Sequence, residues 1–211
     1  IIGGYLKTND KYYKFNNGAS LYYKNYVDAP PTPDTITLGG GCFWCMEAVF
    51  LRLKGVIDVT SGFSGGRKIN PSYYQVCTGN TGHAEVIQIV FRPDQISLEE
   101  LLEVFFKVHD PTTLNRQGAD IGEQYRSIIF YRKQNQYQIA KHIIEQLNQE
   151  HVYDHAVVTE LKPFIGFYPA EEEHQKYYDR NQEKGYCRMV IQPKLEKFEK
   201  IFKSKLKKNQ H

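Results

Sequence analysis

Apolar positions along the chain switch between two periods, and the switches mark its elements. Thr35-Ile36-Thr37-Leu38 alternates as a short strand and runs into Gly39-Gly40-Gly41. Over residues 42–54 the spacing predicts a helix with Ala48, Val49 and Leu53 on one face. Residues 56–62 read as a strand, and residues 62–80, rich in Gly, Ser, Asn and Tyr, as a loop. Val86-Ile87-Gln88-Ile89-Val90-Phe91 is the clearest strand signal. Ser97-Leu98-Glu99-Glu100 is a capping box, followed by Leu101, Leu102, Phe105 and Phe106 at helical spacing. Residues 115–124 read as loop and 127–131 as strand. Residues 134–149 form a helix presenting Ile139, Ala140, Ile143, Ile144 and Leu147, and a strand over 157–161 precedes Pro163. This order predicts an α+β protein, a two-layer sandwich with a ferredoxin-like split βαβ core.

Two ends depart from this pattern. Residues 1–34 hold six of the 16 tyrosines and end in Pro30-Pro31-Thr32-Pro33, so we read them as an N-terminal Tyr-rich extension that packs through its rings. Residues 35–193 are expected to form the main domain, and residues 194–211 a Lys-rich C-terminal helix or tail. The tail carries seven lysines against two glutamates between Lys194 and Lys208, with Leu195, Phe198, Phe202 and Leu206 at helical spacing. The expectation is a helix docked on its own domain with solvated lysines, not an anionic partner surface.

Composition narrows the class. Of 211 residues, 41% are hydrophobic and 14% aromatic, enough to order the chain by burial. No run approaches the roughly 18–20 apolar residues that cross a bilayer, so no membrane partner is expected. The formal net charge of +3 resides in the tail, and the rest is slightly acidic, which argues against nucleic acid. Four cysteines are too few for a disulfide-stapled scaffold. We expect a monomer. A cytoplasmic location is expected, and because the chain starts at Ile1, without Met, an exported compartment is left open.

The chemistry concentrates in Gly39-Gly40-Gly41-Cys42-Phe43-Trp44-Cys45. A thiol at the start of a helix faces unpaired N–H groups and the positive end of the macrodipole, which favours thiolate and predicts a lowered pKa. Cys42 is therefore a candidate nucleophile, and Cys45, three residues on, lies within disulfide reach. A small buried thiol and a thioredoxin-like Cys-x-x-Cys redox pair are the competing readings. Zinc fits poorly, because Cys77 and Cys187 are isolated in sequence, and no metal is expected.

Further polar segments gather at strand ends: Asn70 to Cys77, Thr81-Gly82-His83-Ala84-Glu85, Asn115 to Ser127, and Ala170-Glu171-Glu172-Glu173-His174-Gln175. Together with Gly41-Cys42-Phe43-Trp44, these resemble the A-type peptide-methionine sulfoxide reductases, over residues 38–186. The resemblance implies reduction of methionine-S-sulfoxide, free and in oxidised proteins. It implies that Cys42 attacks the sulfoxide sulfur and becomes a sulfenic acid, with Glu85 as proton donor at a raised pKa. Tyr73 and Tyr125 would bind the oxygen, Asp120 would support them, and Phe43, Trp44 and His174 would hold the substrate. His83 is read as ordering its loop. The resemblance favours Cys187 as the resolving thiol, with Cys45 second, and Cys77 as structural. It implies no bound cofactor and a thioredoxin-type reductant, replaceable by dithiothreitol. Two departures stand out: Cys45 replaces the family's usual Gly, and the Cys-bearing C-terminal tail of many members gives way to the Lys-rich helix. A general disulfide oxidoreductase using Cys42 and Cys45 is the alternative function.

Overall fold

The computed structural model describes residues 5–8, 11–14 and 32–207, the first two stretches by backbone alone. Packing of the N-terminal tyrosines lies outside the described residues. Strands β1 (Tyr5–Thr8) and β2 (Lys11–Lys14) pair as a hairpin. The main sheet is built from β3 (Asp34–Gly39), β4 (Val56–Ser64), β5 (Ala84–Phe91), β8 (Ile128–Tyr131), β9 (Glu160–Pro163) and β10 (Tyr168–Pro169). A two-residue ladder, β6 (Arg116–Gln117) with β7 (Asp120–Ile121), lies apart from it. The helices are α1 (Phe43–Phe50), α2 (Tyr73–Cys77), α3 (Leu98–Val108), α4 (Gln134–Gln149), α5 (Tyr177–Arg180) and α6 (Gln192–Ile201).

The sheet order is β10-β4-β5-β3-β8-β9, antiparallel throughout except for the β8–β9 pair. The protein is of the α+β class, with β5 inserted between β3 and β4. Strand parity assigns the two faces. Ile87, Ile89 and Phe91 of β5 join the main core with α1, α3 and α4, whereas Ala84 and Val86 join Ile128 and Phe130 under Phe164 and Phe167. Glu85 shares the parity of Ile87 and so faces the helix-covered side.

Several boundaries differ from the sequence reading, and four of them have a clear local reason. Helix α1 stops at Phe50, because the next backbone groups are claimed by the C-terminal segment: Lys54 N–H donates to the Lys205 carbonyl at 2.8 Å, and Lys207 N–H to the Arg52 carbonyl at 2.9 Å. Within the expected loop, Ser72 and Gln75 form a capping box that starts the five-residue α2. Strand β9 begins at Glu160, not Val157, because the N–H groups of Val157 and Val158 go to Asn148 Oδ1 and the Pro111 carbonyl. It runs on to Pro163, which an edge strand tolerates. The tail helix α6 begins at Gln192, directly after a π-helical turn over Cys187–Ile191. Its Leu195 and Phe198, with Phe202 beyond, are buried in the main core, each burial contributing roughly 1.5–3 kcal/mol. Lys194, Lys197 and Lys200 of the same helix are exposed. Among the described residues, no helix is long and apolar enough to cross a membrane.

Candidate active site

The turn from β3 into α1 needs its glycines. A Cβ on Gly39 would lie 2.9 Å from the Glu85 carbonyl oxygen, and Gly41 takes φ +89°, where a side chain would also strike Gln117. These approaches deliver Cys42 to the N-cap of α1, with its own side chain making no cap bond. Cys42 and Cys45 are buried, with 9% and 8% exposure, and all four cysteines are free thiols.

Glu85 sits beneath this turn. It is 1% exposed, and its Oε2 accepts the Phe43 N–H at 3.0 Å. Burial pushes its pKa up to about 8 against the lowering effect of that N–H, and the charges of Asp120 and Cys45 push the same way. Glu85 therefore keeps its proton at neutral pH.

The two thiols behave as a pair. Cys42 is not lowered by its place at the helix start, as the macrodipole argument predicts. Its thiol is raised well above the ordinary range by its hydrogen bond to Cys45, then by burial and by the Cys45 and Glu85 charges. Cys45 is the member drawn down, to about 7, by the Cys42 hydrogen bond; burial opposes the shift, and the Lys194 charge assists it. Lys194 Nζ stands 3.8 Å from Cys45 Sγ. The Tyr186 hydroxyl faces both sulfurs and eases the ionisation of each. Cys187 is fully buried in the π-helical turn, and its thiol is raised by burial and then by the Cys45 charge. Cys77 is exposed at the end of α2, and its thiol is raised by burial against the lowering influence of Tyr73.

An aromatic group walls the site. Tyr73 lies 4.1 Å from the His174 ring and 6.0 Å from both Phe43 and Trp44, centroid to centroid. Trp44 stacks at 3.7 Å on Tyr177. Tyr177 is itself held by the buried Glu47, whose Oε2 accepts the Tyr177 N–H at 3.3 Å. Glu171 accepts the Tyr73 N–H at 3.0 Å and so anchors the start of α2. Trp44 Nε1 and His174 Nδ1 are buried with no hydrogen-bond partner among the described residues. Burial lowers the His174 pKa and keeps its ring neutral. Tyr73 and Tyr125 are both held in the hydroxyl form by burial and then by the Glu85 charge. Asp120 enters from β7; its pKa is raised by burial and eased by Lys194.

The structure thus gathers Cys42, Cys45, Glu85, Tyr73, Tyr125, Asp120, Phe43, Trp44 and His174 around one turn. His83 does not join them: its Nδ1 accepts the Gly66 N–H at 3.1 Å and its Nε2 donates to the Lys68 carbonyl at 2.8 Å, which orders that loop. Two residues escaped the sequence reading. Tyr186 marks only the end of the resembling stretch, and Lys194 is one of many tail lysines. Among the described residues no cluster of His, Cys, Asp and Glu is arranged to hold a metal ion.

Comparison with known proteins yields one family. A family model described as peptide methionine sulfoxide reductase matches residues 34–206, and so reaches through the Lys-rich helix, beyond the stretch 38–186 over which the resemblance was seen. The chain is 55% identical over 174 residues to peptide methionine sulfoxide reductase MsrA of Saccharolobus solfataricus, covering 82% of this chain and 97% of that one. Among solved structures it is similar to reduced Mxr1 of Saccharomyces cerevisiae, with TM-score 0.68, 35% identity and 78% and 94% of the two chains covered. It is also similar to methionine sulfoxide reductase A of Corynebacterium diphtheriae, with TM-score 0.65, 37% identity and 75% and 79% covered.

Proposed function

The chain belongs to the peptide methionine sulfoxide reductase family, an oxidoreductase family that reduces methionine sulfoxide, and on that premise we propose that Cys42 attacks the sulfoxide sulfur while Glu85 protonates its oxygen. The observation that carries this reading is a neutral, buried carboxyl directly beneath the turn that presents Cys42. A sulfoxide sulfur is a poor electrophile until its oxygen is protonated or strongly hydrogen-bonded, so acid and nucleophile must meet at one substrate. Tyr73 and Tyr125 hold the oxygen through their hydroxyls. Phe43, Trp44 and His174 receive the methyl group, and the negative charge of Asp120 helps to keep Glu85 protonated. The substrate is the S epimer, as the free amino acid or in protein chains.

Atoms and electrons balance through the thiol pair. The Cys42 proton passes to Cys45 as the sulfur attacks, Glu85 protonates the oxygen, and methionine leaves with Cys42 as sulfenic acid. Cys45 then attacks that sulfenic acid, giving the Cys42–Cys45 disulfide and water. A thioredoxin-type dithiol reduces the disulfide and restores both thiols. We assign resolution to Cys45 and not to Cys187, reversing the preference drawn from resemblance. Cys45 stands one helical turn from Cys42 and the two thiols shift each other's ionisation, whereas Cys187 is fully buried in a helical turn. A disulfide needs side chains that meet without large backbone movement. A plain disulfide exchange would use the same two thiols but gives Glu85 and the aromatic wall no task.

The test is single turnover of the two sulfoxide epimers. We expect stoichiometric methionine from the S epimer and none from the R epimer, with one Cys42–Cys45 disulfide on peptide mapping. Equal turnover of both epimers would reject the reading, and a Cys42–Cys187 bond would reject the assignment of Cys45. The pH dependence follows with definite signs. The rate needs protonated Glu85, so it falls as pH rises through about 8. It needs the Cys45 thiolate, so it falls as pH drops through about 7. We expect a narrow bell for methionine release, highest between these values. A rate that keeps rising past pH 9 would remove Glu85 as the acid.

A further inference from the structure

A cavity of about 130 Å³ opens between α1 and α6, and its lining shares only Cys42 with the residues assigned above to attack, proton donation and substrate binding. Cys42 and Cys45 line it from one side, Lys194, Lys197 and Phe198 from α6, and Lys107 from α3. The side chain of Lys194 crosses it to within 3.8 Å of Cys45 Sγ, close enough for a charge-assisted contact to a thiolate. Phe198, buried on the same helix, anchors α6 at this depth while leaving the lysine stem exposed.

We propose that Lys194 is a positioning residue for the reduction: its ammonium fixes the negative charge of the Cys42–Cys45 pair on Cys45, which then takes the Cys42 proton during attack. The inference rests on the reading of Cys45 as the partner thiol. The surroundings of Cys45 explain why a cation is needed. From β5 and β7 it faces Glu85 and Asp120, from the chain before the π-helical turn Tyr186, and from that turn Cys187. None of these brings a positive charge, and Asp120 opposes ionisation of Cys45. Lys107 and Lys197 also line the cavity, and the Lys194 ammonium stands 3.8 Å from the Cys45 sulfur. Lys194 also eases the ionisation of Asp120.

The same contact acts twice in the cycle. In attack it keeps Cys45 unprotonated, so that the thiolate is present to take the Cys42 proton. In regeneration it stabilises Cys45 as the leaving thiolate, which directs the incoming dithiol to the Cys42 sulfur, because the thiol of lower pKa leaves faster.

The experiment is single-turnover methionine release across pH for wild type, Lys194→Met, Lys194→Arg and Cys45→Ser. Lys194 is exposed, so neither replacement disturbs the core. For Lys194→Met we expect the acid limb to move up by about one pH unit and the rate near pH 6 to fall roughly three- to tenfold, with the basic limb unmoved. Lys194→Arg should keep the wild-type limb. An acid limb in Lys194→Met that coincides with wild type overturns the inference, provided that Cys45→Ser abolishes or displaces that limb. If Cys45→Ser leaves the limb in place, the reading of Cys45 as partner fails instead.

Discussion

Replacing Cys42 with serine should abolish methionine release from the S sulfoxide while leaving a protein at least as stable as the parent. The loss of activity follows from the chemistry: a serine hydroxyl does not ionise near neutral pH and has no sulfur to accept the oxygen as a sulfenic acid. The stability follows from the backbone. Cys42 occupies the N-cap of α1 without forming a cap bond, and serine is among the residues preferred there. Its hydroxyl can accept an orphan N–H of the first turn, an interaction worth about 1 kcal/mol at such positions. Release of methionine in a single turnover and the urea midpoint check the two halves separately. Residual turnover above background, or a Cys45 adduct that substitutes for Cys42, would take the nucleophile role from this residue.

The sequence carried the parts of this site that local pattern encodes. Cys42 is legible because a strand, three glycines and a helix meet at it. Glu85 is legible in retrospect from parity alone: it stands two positions before Ile87 in a strand whose odd positions face the helices. A carboxyl at a core position signals a buried acid before any contact is known. What pattern does not encode is contact across long separations. The Cys45–Lys194 contact spans 149 residues and the Phe43–Glu85 bond 42. The expectation of a lowered Cys42 pKa failed for this reason. It counted the helix start and missed Glu85 and Cys45, which face the same sulfur in the fold. Tyr186 and Lys194 escaped because each resembles many neighbours of its own type: 16 tyrosines, and a tail in which lysine recurs. The five-residue α2 escaped because one turn is too short to show a period, although its Ser72–Gln75 capping box was on view.

Glu85→Gln should slow methionine release by about 10²–10⁴-fold while changing sulfoxide affinity far less. The amide has the same shape, its carbonyl oxygen can keep the Phe43 N–H, and its NH₂ can still donate to the sulfoxide oxygen. It cannot give up a proton, so the variant isolates proton transfer from binding. The falling limb of the pH profile near 8 should vanish with it. Stability supplies an independent check with a fixed sign. Glu85 holds its proton in the folded protein to about pH 8, whereas in the unfolded chain it ionises near 4.5. The folded state therefore binds more protons between these values, and wild-type stability declines as pH rises through that window. The full decline is at most roughly 4–5 kcal/mol for this one group. Glutamine does not titrate, so the urea midpoint of the variant should gain on wild type from pH 5 to pH 8 and then run parallel to it. A gap that stays constant with pH would mean that Glu85 ionises normally in the fold. Methionine release at the wild-type rate would show that the proton on the sulfoxide oxygen comes from elsewhere.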